Sequence, residues 1–258
     1  MNPSPEPKLN FSVSPGDLFQ LGEHRLACGS AKDPSLVSRL LSGTEINVIL
    51  TDPPYGIDYV ASKQGIADHL SKPKTILNDH EQSDAEYTSF TQDWLVAVKP
   101  SLAKKNAFYI FNSDKMIFSL REGLLRSGFK LAQLLIWAKT HSIIGRMDYL
   151  PQHELIAYGW LGTHTFHRSK DKSILIHPKP QKSTLHPTMK PVGLLRVLLL
   201  NSSRIGDVIY DPFGGSGSTL IACEQTKRRC FMIEMDTDYC RTIIHRWEKL
   251  TGGQAIKL

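Results

Sequence analysis

Val208-Ile209-Tyr210-Asp211-Pro212-Phe213-Gly214-Gly215-Ser216-Gly217 is the stretch that decides the fold. A short apolar run stops at an acid and a proline, and three glycines crowd residues 214–217. Such a run reads as a buried strand over Val208–Tyr210, and the glycines let the backbone turn tightly or approach another group closely. Downstream, Ser216–Thr226 reads as helix, Cys230–Ile233 as a second buried strand, and Asp236 to about Leu250 as a closing helix. Strand, glycine-rich turn, helix and strand form the unit of a parallel α/β sheet, whose helix N-terminus offers unpaired N–H groups to a ligand. Glu234 ends the second strand, where doubly wound sheets place an acid for ribose hydroxyls. The turn is not a GxGxxG fingerprint, and Asp211 would oppose a pyrophosphate while suiting a ligand with an ammonium group. A nucleotide-like ligand is implied, and a dinucleotide fits poorly.

Working back toward the N-terminus, the same alternation continues. Helical patterns cover Pro191–Ser203, Lys115–Arg126, Ser83–Val98 and Asp33–Leu41. Ser83 and Glu86 form a capping box, and Asp33 caps a helix with Pro34 in its first turn. Strand patterns cover His153–Tyr158, Phe129–Trp137, Ala107–Phe111, Ile46–Leu50 and His24–Gly29. The fold class is therefore α/β, a doubly wound, mostly parallel sheet in one domain over residues 16–258. Residues 1–15 alternate proline with small polar side chains and read as a mobile leader. Gln64–Asp79, rich in Gly, Ser, Lys and Pro, is longer than a simple connection needs and reads as a lid.

The 258 residues suffice for a sizeable core, and 41% hydrophobic with 22% charged content describes an ordinary globular chain. The 31 Lys and Arg against 25 Asp and Glu leave a formal charge of +6. That excess is compatible with a polyanionic partner, and it concentrates in one place. Between Gly159 and Pro191 the periodicity fades, and from His164 the chain carries Arg168, Lys170, Lys172, Lys179 and Lys182 with four histidines against the single acid Asp171. Cys28, Cys223, Cys230 and Cys240 show neither a CxxC pair nor metal-ligand spacing, so reduced structural thiols and no metal are expected. No apolar stretch is long enough to span a bilayer and no signal-type h-region opens the chain, which predicts a cytoplasmic protein.

The second motif is Thr51-Asp52-Pro53-Pro54-Tyr55-Gly56, at the carboxyl end of an apolar strand where open α/β sheets bind ligands. Two prolines stiffen the turn and fix a carboxylate, the Pro53 carbonyl and an aromatic face within one small cup. With DPPY preceding DPFGGSGST, the chain resembles the β group of amino-methylating DNA methyltransferases in its circularly permuted order. The resemblance spans nearly the whole chain and includes Trp137–Tyr158 (WAKTHSIIGRMDYLPQHELIAY) and His186-Pro187-Thr188-Met189-Lys190-Pro191.

That resemblance implies S-adenosylmethionine as cofactor, double-stranded DNA as substrate, and a target nucleotide flipped out of the duplex, as the base-modifying enzymes of this kind require. It implies that Asp52 and the Pro53 carbonyl accept the two amino hydrogens, that Pro54 stiffens the cup and that Tyr55 stacks on the base. It assigns Asp211, Phe213, Gly215, Ser216 and Gly217 to the cofactor, Glu234 to its ribose, and Thr188 and Lys190 to the cap of the site. Residues 159–187 fall where the group keeps its target-recognition segment, so Arg168, Lys170, Lys172, Lys179 and Lys182 become DNA contacts. Such a short segment implies either a short target or a homodimer sharing the task.

Two positions depart from the group's pattern. Gly29-Ser30 stands where many relatives have Gly-Asp, which affects contacts to the cofactor adenine, and Ser218 replaces a common Thr while keeping the hydroxyl. Asp at position 52 favours adenine N6 as the target. Cytosine N4, an RNA or protein amide substrate, and a silent DNA-binding subunit are the alternatives.

Overall fold

A computed structural model describes residues 10–56, 81–142, 148–168, 171–179 and 189–258. Among these residues, ten strands form one mixed sheet in the order β10-β1-β2-β9-β8-β3-β4-β6-β5-β7. They are β1 Leu18–Leu21, β2 His24–Cys28, β3 Ile46–Thr51, β4 Leu102–Asn112, β5 Lys130–Ala138, β6 His153–Trp160, β7 Ile174–Ile176, β8 Val208–Asp211, β9 Arg229–Glu234 and β10 Ile256–Lys257. The central run β2-β9-β8-β3-β4 is parallel throughout, while β6 is antiparallel to both β4 and β5.

Helices α1 Pro34–Leu41, α2 Asp84–Val98 and α3 Ile117–Arg126 pack on one face, and α4 Val192–Ser202, α5 Ser218–Thr226 and α6 Thr237–Thr251 on the other. Alternate side chains explain this division. Val48, Leu50, Ile209 and Met232 point into the α4–α6 layer, whereas Ile49, Tyr210, Phe231 and Ile233 point into the α1–α3 layer. Strands buried on both faces must be apolar at successive positions, as INVIL and VIY are.

The caps expected from sequence are in place. Asp33 accepts from the Ser35 N–H, and Ser83 and Glu86 form a reciprocal capping box. The differences lie at element ends and in short strands. Helix α5 starts at Ser218, with Gly217 at its N-cap, because residues 214–217 are spent on the turn. Strand β4 begins at Leu102, earlier than its apolar stretch, because Leu102 already pairs with Ile46; exposed Lys104 and Lys105 fall in the irregularity before the register resumes at Val48 and Ala107. The segment after Gly159 contains β7, three residues paired parallel to β5. Phe11 stacks on Phe19 at 5.3 Å and Val13 is buried, so core packing extends upstream of residue 16. The Gln64–Asp79 lid lies outside the described residues. Among those described, no helix is long and apolar enough to cross a membrane.

The strand order determines where a ligand can bind. From β8 the chain moves outward through α5 to β9, and from β3 it moves the other way through α2 to β4. The sheet therefore reverses its winding between β8 and β3, and α/β sheets open a crevice at the carboxyl ends of strands flanking such a point.

Candidate active site

Both sequence motifs flank that crevice. Strands β3 and β8 are parallel neighbours, with Val48 opposite Ile209 and Ile49 opposite Tyr210. Asp52 follows β3 and Asp211 ends β8, so residues more than 150 apart in sequence meet on adjacent strands. Thr51 joins them directly, its hydroxyl donating to Asp211 Oδ1 at 2.7 Å. The Phe213 N–H also reaches this oxygen at 3.2 Å.

The glycine-rich turn wraps around Glu234. Gly215 N–H donates to Glu234 Oε2 at 2.6 Å and Asp236 N–H to Oε1 at 2.8 Å, which fixes the carboxylate at the strand end. A Cβ on Gly214 would lie 2.7 Å from Met232 Sδ, and Gly217 takes φ +80°, a conformation that side chains disfavour. Ser216 is buried. Phe213 lies 5.6 Å from Phe90 and edge-on to Trp94 at 5.7 Å, so it is anchored to α2 at the rim of the turn. Beside these residues opens a cleft of about 610 Å³, lined in part by Ser30, Lys32, Phe90, Asp93 and Met235. That volume suits a nucleoside-sized group. Ser30, the departure noted in sequence, is on its wall.

Burial pushes the carboxyls of Asp211 and Glu234 up to about 7, against the pull of their hydrogen-bond donors. A cationic group or a pair of ribose hydroxyls favours the ionised form, so binding such a ligand below pH 7 must expel protons. Affinity for S-adenosylmethionine is expected to rise about tenfold per linked carboxylate between pH 6 and pH 8 and then level off. Calorimetry in buffers of different ionisation enthalpy would measure the proton release, and Glu234→Gln should remove one carboxylate's share of it. The sign follows from folded values above the unfolded ones. Without ligand, these two groups reduce stability as pH rises from about 4 to about 7.

Asp52 lies at the centre of a charged cluster that the sequence did not foreshadow. Lys190 Nζ lies 2.5 Å from Asp52 Oδ2 and 3.1 Å from Glu154 Oε2. Lys139 Nζ holds the other oxygen of Glu154 at 2.8 Å. The Tyr55 hydroxyl donates to Asp52 Oδ1 at 2.8 Å and sits 3.3 Å from Glu154 Oε2. Lys190 also faces the rings of Tyr55 and Phe111 at 5.6 and 5.2 Å. The side chains of Lys139 and Lys190 are only 4% and 7% exposed, while those of Glu154 and Asp52 keep 20% and 23%, so the cations are the deeply buried members of the cluster.

Lys190, expected over the cofactor, is thus seated on Asp52. Burial and the Glu154 charge raise the Asp52 carboxyl above its ordinary value, with Lys190 opposing them. Burial would also raise Glu154, but the ammonium groups of Lys190 and Lys139 hold it down at about 2. Sequence reading missed Glu154 and Lys139. The available signal was a charge at the edge of each of two apolar runs, LLIWAK and HELIAY.

The basic segment is not one patch. The backbone N–H of His167 donates to the carbonyl of Asn201 near the end of α4, so exposed Arg168 stands at the sheet end away from Asp52. From Lys172 the chain returns along β7 until His177 N–H meets the Ala138 carbonyl, which brings exposed Lys179 toward the cup. Lys170, Lys182 and Thr188 lie outside the described residues. The structure therefore separates Arg168 from Lys179, which sequence reading had grouped together.

A carboxylate cup beside a glycine-rich nucleotide turn, across the switch point of a doubly wound sheet, defines a group-transfer enzyme of the methyltransferase class. The chain belongs to the DNA methylase family of N6 and N4 amino methyltransferases, whose model matches residues 46–245 and whose cofactor is S-adenosylmethionine. Among curated relatives, the type II methyltransferase M2.MboI of Moraxella bovis is 26% identical over 230 residues, covering 80% of this chain and 82% of the relative. The fold matches the M1.HpyAVI complex with S-adenosylmethionine at a TM-score of 0.63 and 20% identity, covering 86% of this chain and 98% of that one. It matches the cytosine-N4-specific PvuII DNA methyltransferase at 0.62 and 16% identity, covering 88% and 89% of the two chains.

Proposed function

We propose that the chain is a site-specific DNA methyltransferase that moves a methyl group from S-adenosylmethionine to N6 of an adenine flipped out of duplex DNA. The observation that carries this reading is the hydrogen bond from Thr51 to Asp211, which couples the cup to the cofactor strand.

The residues present fit the cofactor. Asp211 supplies a buried acid and Glu234 a half-buried one, Gly214–Gly217 a close backbone approach, and Ser30 lines the nucleoside-sized cleft together with Phe90, which packs on Phe213. S-adenosylmethionine supplies an electrophilic methyl group on a positively charged sulfur. Glu234 would hold the ribose hydroxyls, and Asp211 would lend negative charge to the cationic end of the ligand.

An exocyclic amino nitrogen is a poor nucleophile because its lone pair is delocalised into the ring. Asp52 and the Pro53 carbonyl accept its two hydrogens, which draws the nitrogen toward a tetrahedral form and frees the lone pair. When the new N–C bond has formed, the nitrogen releases one proton to Asp52, whose raised carboxyl suits it as acceptor. Tyr55 turns its ring to the base, and the prolines keep these groups from drifting. Lys179, on the cup side, contacts phosphate near the extruded base, while Arg168 stands at the opposite end of the sheet. Aspartate rather than serine at position 52 supports adenine, and the shared fold of the cytosine-specific PvuII enzyme makes cytosine N4 the competing target.

Unmethylated genomic DNA incubated with the enzyme and cofactor, then mapped by long-read sequencing, is expected to carry modified adenines confined to one short sequence. Methylation scattered without a shared sequence would refute site specificity, and activity on structured RNA but not duplex DNA would refute the substrate.

A further inference from the structure

Asp52 does not stand on its loop alone. Its partner Lys190 precedes α4, Glu154 is the second residue of β6, and Lys139 follows β5, so three separate elements converge on one carboxylate. Cations and anions alternate through the cluster: Lys139, Glu154, Lys190, Asp52. Each contact is 3.1 Å or shorter. Among the described residues, the other titratable groups facing it are Tyr55 within the cup, Tyr87 from α2 and Asp211 from β8.

Resting on the function proposed above, we infer that Glu154, backed by Lys139, is a positioning residue for methyl transfer: it fixes the Lys190 ammonium and the Tyr55 hydroxyl against Asp52. Two observations point this way. A buried lysine next to one carboxylate would need no second anion to balance its charge, yet Glu154 supplies one from a different strand. Without Lys139, Glu154 would have to share the single Lys190 ammonium with Asp52; Lys139 supplies the second cation, though its contact with the cup is only indirect.

The reaction makes use of that second anion. One S–C bond breaks, one N–C bond forms, and one proton passes from the amino nitrogen to Asp52. The sulfur loses its positive charge as the Asp52 carboxylate loses its negative charge, so the total charge of the site is conserved. Lys190, however, now faces a neutral carboxyl. Glu154 remains as its counter-ion, and the ammonium stays charged and in place through the turnover.

The test is single-turnover methyl transfer from labelled S-adenosylmethionine to duplex DNA between pH 6 and pH 10, with cofactor affinity and thermal unfolding measured alongside. Glu154→Gln is expected to slow transfer about tenfold at pH 8 and to bring an alkaline loss of rate down by about one pH unit. Lys190 has then lost one of the two anions that hold its proton. Cofactor affinity should change less than threefold, roughly the scatter expected for a group outside that contact, and Glu154→Asp should recover part of the rate. Lys139→Met combined with Glu154→Gln removes the stranded cation as well; this double variant should unfold near the parent's temperature and keep the shifted profile. Parental rate and parental pH profile in either folded variant would overturn the inference. A parent enzyme that transfers no methyl group to any DNA would instead overturn the function on which it rests.

Discussion

Asp52→Ala is expected to lower methyl transfer by about a thousandfold, the scale seen when one preorganised polar contact to a developing charge is removed. Cofactor affinity should stay close to that of the parent, because the residues around the cofactor turn are Asp211, Gly215, Gly217 and Glu234 rather than Asp52. The fold should survive, since Lys190 keeps Glu154 at 3.1 Å as a counter-ion. Asp52→Asn tests the same point with less change of shape: it retains a hydrogen-bond acceptor and loses the proton acceptor. Its rate should fall between the two. Single-turnover assays with calorimetric cofactor titration measure both quantities, and near-parental turnover in Asp52→Ala would remove this residue from the chemistry.

Lys190→Ala is expected to produce the largest loss of stability. It leaves Asp52 in a largely enclosed site with no cation beside it among the described residues, while Lys139 still answers Glu154. Removing one partner of a buried ion pair costs about 3–5 kcal/mol, because the other charge stays desolvated. For a chain of this size that corresponds to a melting temperature lower by roughly 10 °C. The sign of its pH dependence is also determined. Without Lys190 the folded-state value of Asp52 rises further above its unfolded value, so stability drains away as pH increases through that range. The deficit relative to the parent should be smallest near pH 5 and largest near pH 8. Thermal unfolding at both values checks this, and an equal deficit at the two would show that lost packing rather than charge is responsible.

The sequence disclosed the fold wherever an element carried a long apolar pattern or a chemically distinct cap. INVIL, AFYIF and VIY alternate with capped helices, and each appears as a strand or helix within a few residues of its expected ends. Strands β1, β7 and β10 were not legible. Each has four residues or fewer and gains its place from pairing with a neighbour rather than from its own pattern. The two motifs of the site were legible because glycine and proline mark backbone shapes directly. Lys190, Glu154 and Lys139 carry no such mark. Their joint position depends on β6 running antiparallel to β4 and β5, which brings its first residues to the carboxyl end of the sheet. The division of the basic segment was hidden for the same reason, since it depends on His167 meeting Asn201 at one end of the sheet and on the short β7 pairing with the last three residues of β5 at the other.

The measurement that bears most directly on the central claim is the identity of the methylated nucleoside. Unmethylated duplex DNA, treated with the enzyme and isotope-labelled S-adenosylmethionine, is digested to nucleosides and resolved by mass spectrometry. Labelled N6-methyldeoxyadenosine, absent when Asp52→Ala replaces the parent, is the predicted result. Label in N4-methyldeoxycytidine alone would contradict adenine as the base that enters the cup, and no labelled nucleoside at all would contradict the enzyme.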